Sequence, residues 1–170
     1  MISKKAIITS LTILFIHNTY SQILINKDST NKFYKSQGVI FKQDYKINFE
    51  VKGLEKRFTP SVQDIQKAES LLLNNYNSIM SSDERILNFQ PIKSVKRKFE
   101  KYVRQYLGFI DSSNNYIIFI QLLNFNVSHK DKERSFNGWK SYFITGSGTF
   151  YESNTSRYLV NLNNYHVKLF

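Results

Sequence analysis

The chain has 170 residues and a formal net charge of +11, from 24 lysines and arginines against 13 aspartates and glutamates. Aromatic residues make up 15% of it, far more than disordered chains contain, and its length fits one hydrophobic core. The sequence has no cysteine, which excludes disulfides, thiolate nucleophiles, cysteine-bound zinc, iron–sulfur clusters and lipidation at cysteine.

The amino-terminal segment has the pattern of a secretory signal peptide. Lys4 and Lys5 precede an uncharged apolar run, residues 6–16, and the small residues Thr19 and Ser21 suit the −3 and −1 positions of a signal-peptidase site. The run is too short for a permanent membrane anchor, which needs about 20 residues, and no later stretch is apolar for long enough. A buried amino-terminal strand is the alternative interpretation of this run.

These features predict cleavage before Gln22 and export to the periplasm or the extracellular space. We therefore divide the chain into a signal peptide over residues 1–21, a loose lead-in over residues 22–36 and a single α+β domain over residues 37–170. Because cysteine is absent, packing alone must stabilise the exported domain.

Strict alternation predicts a strand over residues 44–52. Apolar side chains fall on one face and polar side chains on the other, which is typical of a half-buried antiparallel strand. The apolar residues are Tyr45, Ile47, Phe49 and Val51. Gly53 ends the pattern.

A helix is predicted to begin at Thr59 and Pro60. The Thr59 hydroxyl can cap the helix, and Pro60 suits the first helical position because its missing N–H has no partner there. Apolar residues then recur at three- and four-residue spacing, which gives one stripe for packing. They are Val62, Ile65, Ala68, Leu72, Tyr76 and Ile79.

A β-hairpin is predicted after this helix. Residues 92–107 fit a helix or a strand, but residues 99–110 favour a strand because the polar run 111–115 is typical of a hairpin turn. The nearly continuous apolar segment 116–125 then forms a central strand covered on both faces.

The remaining segments complete an α+β fold. We expect a polar loop over residues 126–138, strands over residues 139–144 and 149–151, and either a strand pair or one bent strand over residues 157–162 and 165–169. The order predicts one long helix packed on a curled antiparallel sheet of four to six strands, of the cystatin-like or α+β-roll type.

Three groups of residues carry a family resemblance. They are Phe58, Thr59, Pro60, Asp64, Ile65, Ala68, Glu69 and Leu72; the run Tyr102–Ile110; and Trp139. At these positions the chain resembles a group of small uncharacterised exported proteins of Bacteroidota, which have no assigned activity or catalytic residues. The resemblance implies a strand over residues 102–110 and an envelope or secreted location.

The strongest local feature is a basic segment interleaved with aromatic residues. Together with Trp139, the predicted binding residues are Lys93, Lys96, Arg97, Lys98, Lys101, Arg104 and Tyr106. Cations beside exposed rings suit a polyanion, such as lipid A phosphate, an acidic polysaccharide, anionic lipid headgroups or nucleic acid. The alternatives are a solvated charged face for the segment and core anchoring for Trp139.

Acid–base candidates are few. On a strand, His129, Asp131 and Glu133 would face one way and could bind a metal or form a base and its orienting group, whereas in a loop they are only solvated charges. His166 lies on an apolar strand and is expected to be a packed or edge histidine. No pattern predicts a cofactor, a metal site or a Ser-His-Asp framework.

The sequence therefore predicts a non-enzymatic exported binding or structural module of the cell envelope. Its partner is an anionic polymer or surface held by the basic segment, or a protein held by a free strand edge. The alternative is a small basic secreted hydrolase of the nuclease kind, which would use His129 or His166 with an acidic residue and Arg104.

Overall fold

The computed structural model describes residues 22–25, 37–54, 56–82 and 102–170, which form an α+β fold. The strands are β1 (Gln22–Ile25), β2 (Gly38–Phe41), β3 (Lys56–Phe58), β4 (Tyr102–Ile110), β5 (Tyr116–Asn124), β6 (Thr155–Asn161) and β7 (Val167–Leu169). The helices are α1 (Val62–Ser82), α2 (His129–Phe136) and α3 (Thr149–Asn154). The predicted signal peptide, residues 1–21, lies outside the described residues.

The described strands form one mixed sheet with the order β1-β2-β4-β5-β6-β7, and β3 also pairs with β4. The expectation of a purely antiparallel sheet was wrong, because β2 and β4 are parallel. Parallel neighbours need a long crossover connection, which the chain supplies between these two strands and which includes α1. Gln22–Ile25, expected to be part of a loose lead-in, pairs with β2 as the strand β1.

The predicted hairpin is confirmed. β4 and β5 pair without interruption from Tyr102 opposite Asn124 to Ile110 opposite Tyr116. In the turn, the Asp111 carboxylate accepts hydrogen bonds from the Asn115 side chain at 2.9 Å and from the Asn115 backbone N–H at 2.8 Å. These bonds favour the charged carboxylate and lower the pKa of Asp111.

The predicted helix is present, but it begins later than expected. The Ser61 hydroxyl accepts from the Asp64 N–H at 3.1 Å, while the Asp64 carboxylate accepts from the Ser61 N–H at 2.9 Å. This reciprocal pair is a capping box, so Ser61 is the cap. The Thr59 hydroxyl instead accepts from the Gln43 N–H at 3.0 Å and ties the start of the helix to the preceding loop.

Residues 44–52 are not a strand, although their apolar side chains do point inward. Tyr45, Ile47 and Phe49 are half-buried and Val51 is buried, while the residues between them are exposed. The backbone instead bends through turns, in which the Tyr45 N–H donates to the Lys42 carbonyl. The alternation of apolar and polar residues correctly indicates which side chains point inward. It does not show whether a neighbouring strand is available for hydrogen bonding.

The segment after β5 also differs from expectation. Residues 129–136, predicted as loop, form α2, which Ser128 caps by accepting from the Asp131 N–H at 3.1 Å. Residues 139–144, predicted as a strand, contain a turn and an extended stretch with no strand partner among the described residues, and residues 149–151 belong to α3. The last strand pair is confirmed as β6 and β7.

The sheet has two covered faces. We call the face under α1 the helix face, and its core includes Ile65, Leu72, Tyr106, Ile120 and Val160. We call the opposite face the loop face, and its core includes Phe41, Leu107, Phe119, Phe136 and Phe143. Within the described residues, no helix is long and apolar enough to cross a bilayer.

Candidate functional site

Most of the predicted basic segment, namely Lys93, Lys96, Arg97, Lys98 and Lys101, lies outside the described residues. Arg104 belongs to the core, because even-numbered positions of β4 face α1. Only 1% of its surface is exposed. Its Nε donates to Glu69 Oε1 at 3.0 Å, and its Nη1 donates to the Tyr102 carbonyl at 2.7 Å. Arg104 therefore offers no exposed charge to a ligand.

The two predicted aromatic binding residues are also in the core. Tyr106 is fully buried on the helix face, where its hydroxyl donates to Glu69 Oε1 at 2.9 Å. Trp139 is buried on the loop face with its ring centroid 5.6 Å from that of Phe125. The packing corrects their assignment to an exposed surface and favours core anchoring for Trp139.

Glu69 is a further core residue, one that was not among the predicted residues of the apolar stripe. It follows Ile65 by four positions and precedes Leu72 by three, so its spacing places it on the buried stripe of α1. Oε1 accepts hydrogen bonds from Arg104 and Tyr106, while Oε2 is the one buried side-chain polar atom without a partner among the described residues. The carboxylate thus anchors α1 to β4.

Three tyrosines continue this polar cluster on the helix face. Burial, together with the nearby Tyr102, raises the pKa of Tyr76 to about 12. Burial also raises the pKa of Tyr102 and of Tyr158, and Tyr158 is hydrogen-bonded to Tyr76. The trio therefore stays neutral at physiological pH and contributes hydrogen bonds and packing rather than acid–base chemistry.

A polar row crosses the loop face through three adjacent strands. Gln105, Gln121 and Arg157 are directly opposite one another in β4, β5 and β6. Gln121 Nε2 donates to Gln105 Oε1 at 2.9 Å, and Arg157 Nε donates to Gln121 Oε1 at 2.7 Å. The row is a continuous hydrogen-bonded chain in a partly buried setting.

The polar row also holds residues 139–144, the segment that covers it. Gln105 Nε2 donates to the carbonyls of Trp139 at 2.6 Å and Tyr142 at 2.7 Å, and its Oε1 accepts from the Ile144 N–H at 2.8 Å. Gln121 Nε2 donates to the Ile144 carbonyl at 2.7 Å. These side chains satisfy the backbone groups that a neighbouring strand would otherwise bond, which explains why residues 139–144 need no strand partner.

Arg157 ends the row and differs from Arg57, the other half-buried arginine of this face. The Arg57 guanidinium is bonded to carbonyls of Gly108 at 2.9 Å and Lys42 at 3.2 Å. Among the described residues, Arg157 makes one side-chain hydrogen bond, to Gln121, and no carboxylate lies within 4 Å of it. Burial lowers the pKa of Arg157 by removing water from the charge.

The acid–base candidates do not meet. His129 lies on α2, with Nδ1 3.6 Å from Glu133 Oε2, and both side chains are strongly exposed. His166 is exposed in the turn before β7, and Arg104 is sealed under α1. Within the described ranges, no group of three or more histidine, aspartate or glutamate side chains could hold a metal ion.

In the described part of the chain, the geometry leaves one half-buried arginine that is held in place at Nε while its terminal nitrogens make no hydrogen bond: Arg157. The sequence contains a signal for it, since Arg157 is the lone charge at the start of the apolar run 158–160. No protein-family model, curated protein or solved structure matches the chain.

Proposed function

We propose that this protein is a non-enzymatic, exported binding module that holds an anionic polymer or surface of the cell envelope. Lipid A phosphate and acidic polysaccharide are the ligand classes that fit such a location. Export follows from the signal-peptide pattern of residues 1–21, and the resemblance to exported proteins of Bacteroidota agrees with it.

The observation that carries this proposal is the number of surface cations without an acidic partner. Among the described residues, ion pairs within 4 Å occur between Arg104 and Glu69 and between His129 and Glu133. Within the described ranges, the exposed lysines without such a partner are Lys46, Lys52, Lys56, Lys67, Lys130, Lys140 and Lys168. Positive charge that the described chain does not neutralise remains available to a polyanion. Binding then releases the counterions of the polyanion, and the entropy of the released ions favours the complex.

The hydrolase alternative receives no support from the described geometry. It requires a histidine, an acidic residue and Arg104 within hydrogen-bond reach of one another. Arg104 instead contacts Glu69 in the core, while His129 and His166 are exposed on other elements. We therefore do not propose a catalytic function.

Salt-dependent retention tests the proposed binding. The chain beginning at Gln22 is applied to heparin and phosphocellulose columns and to a neutral dextran column. We expect retention on both anionic matrices that collapses between about 50 and 200 mM salt, and none on dextran. Flow-through at 50 mM salt on both anionic matrices would refute the proposal.

Two triple variants locate the charge responsible. One replaces Lys96, Arg97 and Lys98 with serine, and the matched control replaces Lys46, Lys52 and Lys56 with serine. If the basic segment is the binding surface, the first variant elutes at clearly lower salt than the second. Equal elution would assign binding to the general surface charge and remove the segment from the proposal.

Mass spectrometry of the protein from its native envelope or culture medium tests export. We expect the mature chain to begin at Gln22. An intact Met1 on the purified protein would contradict export by a cleaved leader.

A further inference from the structure

Arg157 is held in one orientation by the polar row. Its Nε is bonded to Gln121 Oε1 at 2.7 Å, and Gln121 is in turn fixed by Gln105 and by the Ile144 carbonyl. Since Glu69 Oε2 is the one buried side-chain polar atom without a partner among the described residues, the terminal nitrogens of Arg157 are not sealed. They therefore keep some solvent-accessible surface, and their N–H groups make no hydrogen bond within the described chain.

Two further side chains lie beside Arg157 on the loop face. The Phe170 N–H donates to the Arg157 carbonyl at 2.9 Å, so the two residues are cross-strand neighbours. The ring of Phe170 packs on Phe119 at a centroid distance of 5.0 Å, and the residue as a whole is 43% exposed. Lys168, opposite Leu159 in the same pair of strands, is exposed on the same face.

This arrangement combines three recognition elements. A guanidinium offers a planar fork of N–H groups that binds a carboxylate through two parallel hydrogen bonds. An aromatic ring has an electron-rich face, to which the C–H groups of a sugar ring are complementary. A neighbouring lysine adds a second, mobile charge for the next unit of a polymer.

We propose that Arg157, Phe170 and Lys168 form a subsite for one carboxylate-bearing sugar unit of an acidic polysaccharide. Arg157 binds the carboxylate, Phe170 supports the sugar ring and Lys168 contacts the adjoining acidic unit. The proposal rests on the proposed function and specifies its ligand class. A phosphate would use the charge of Arg157 but would gain nothing from the exposed ring of Phe170.

The half-burial of Arg157 strengthens the expected contact. A partly desolvated guanidinium loses part of its hydration before any ligand arrives, so less water must be removed on binding. The fixed orientation from Gln121 reduces the side-chain entropy that binding would otherwise cost. An exposed arginine such as Arg134 on α2 has neither advantage.

Titration calorimetry with polygalacturonate at low salt tests the subsite, with polyphosphate and neutral dextran as comparison ligands. We expect R157Q to weaken polygalacturonate binding by about tenfold or more, since a charge-assisted hydrogen-bonded contact is lost. R157K keeps the positive charge but lacks the planar guanidinium, so its affinity should lie between those of R157Q and the parent chain. The matched control R134Q removes the same charge from an exposed position and should leave the affinity within about twofold.

A second variant, F170A, tests the role of the Phe170 ring. F170A keeps all charges, so a loss of polygalacturonate affinity with unchanged polyphosphate affinity supports sugar stacking on Phe170. Circular dichroism and a urea midpoint close to the parent establish that each variant is folded. If R157Q unfolds, the R157K and F170A measurements decide the proposal.

The outcomes separate the subsite from the general function. If the parent chain binds none of the anionic polymers, the proposed function fails. If the parent binds but R157Q and R134Q are equivalent, the subsite fails while polyanion binding stands. If Arg157 matters for polyphosphate and not for polygalacturonate, the carboxylated-sugar assignment is overturned.

Discussion

Arg104 and Glu69 join the sheet to the long helix across 35 positions of sequence, with Nε and Oε1 3.0 Å apart. Both side chains are almost completely buried. Since Tyr106 donates to the same Oε1, the carboxylate is held by two donors on one oxygen. The pair therefore fixes where α1 lies on the helix face, and either charge alone would be costly in that position.

Replacing Arg104 with methionine should reduce the free energy of unfolding by about 3–5 kcal/mol, because Glu69 is left as an uncompensated buried charge. Adding E69Q should restore a large part of this loss, because the introduced amide is neutral and its oxygen still accepts from Tyr106. Urea denaturation of Arg104→Met, of E69Q alone and of the double variant measures the difference.

The surface variant Arg134→Met serves as the control for this experiment and should change stability by no more than about 0.5 kcal/mol. If the double variant is as unstable as the sum of the two single variants, Arg104 and Glu69 do not act as a pair. The positional role of the pair would then have to be abandoned.

Replacing Gln105 with leucine should loosen residues 139–144 from the sheet. The carbonyls of Trp139 and Tyr142 and the Ile144 N–H would lose their partner, at about 1–3 kcal/mol for each group that stays buried. Because the chain has a single tryptophan, its fluorescence reports on this segment directly. We expect a red-shifted emission and faster amide exchange at Ile144.

The exposed Gln63 on α1 provides a matched control, since Gln63→Leu makes the same chemical change without touching the loop face. Its emission should equal that of the parent. An unshifted spectrum in the Gln105→Leu variant would show that side-chain packing, and not the polar row, holds the segment.

Elements with a local signal were predictable from the sequence. The turn at Asp111 determines the β4–β5 hairpin, and the apolar stripe determines α1, so both were found. The inward face of residues 44–52 was also found, because alternation reports burial. The backbone structure of residues 139–144 was not found, because their hydrogen-bond partners Gln105 and Gln121 lie far away in the sequence.

The candidate site was harder to predict for a related reason. Arg104 was predicted as a binding residue because it lies in a segment rich in basic residues. Its burial depends on Glu69 in another element, so local composition does not indicate it. Arg157 has no basic neighbours within its strand, so no cluster marked it. What distinguishes Arg157 from Arg57 is that its terminal nitrogens make no hydrogen bond, which only the folded arrangement of the described residues reveals.

Alkaline pH should destabilise the fold through the tyrosine cluster. The pKa of Tyr76 is about 12 in the folded chain against about 10 for an ordinary tyrosine. Because the folded state holds the phenolic proton more tightly, this contribution to stability is complete below about pH 10 and is lost as the pH rises toward 12. Urea midpoints at pH 8 and pH 11 measure the loss.

Tyr76→Phe should make stability less dependent on pH over this range, because it removes one group that ionises on unfolding. Tyr142→Phe is the control, since that side chain is 66% exposed. Identical pH dependence in the two variants would contradict a role for Tyr76.

Replacing Gly108 with alanine should detach β3 from β4. A Cβ at this position would lie 2.6 Å from the Phe58 carbonyl oxygen and 2.8 Å from its ring, and the backbone oxygen cannot rotate away. Overpacking of this kind costs about 1–3 kcal/mol. Hydrogen exchange should accelerate at the amides that pair Lys56–Phe58 with β4, while those between β4 and β5 keep their protection as an internal control. Uniform acceleration across the sheet would instead indicate global destabilisation and refute a local role for Gly108.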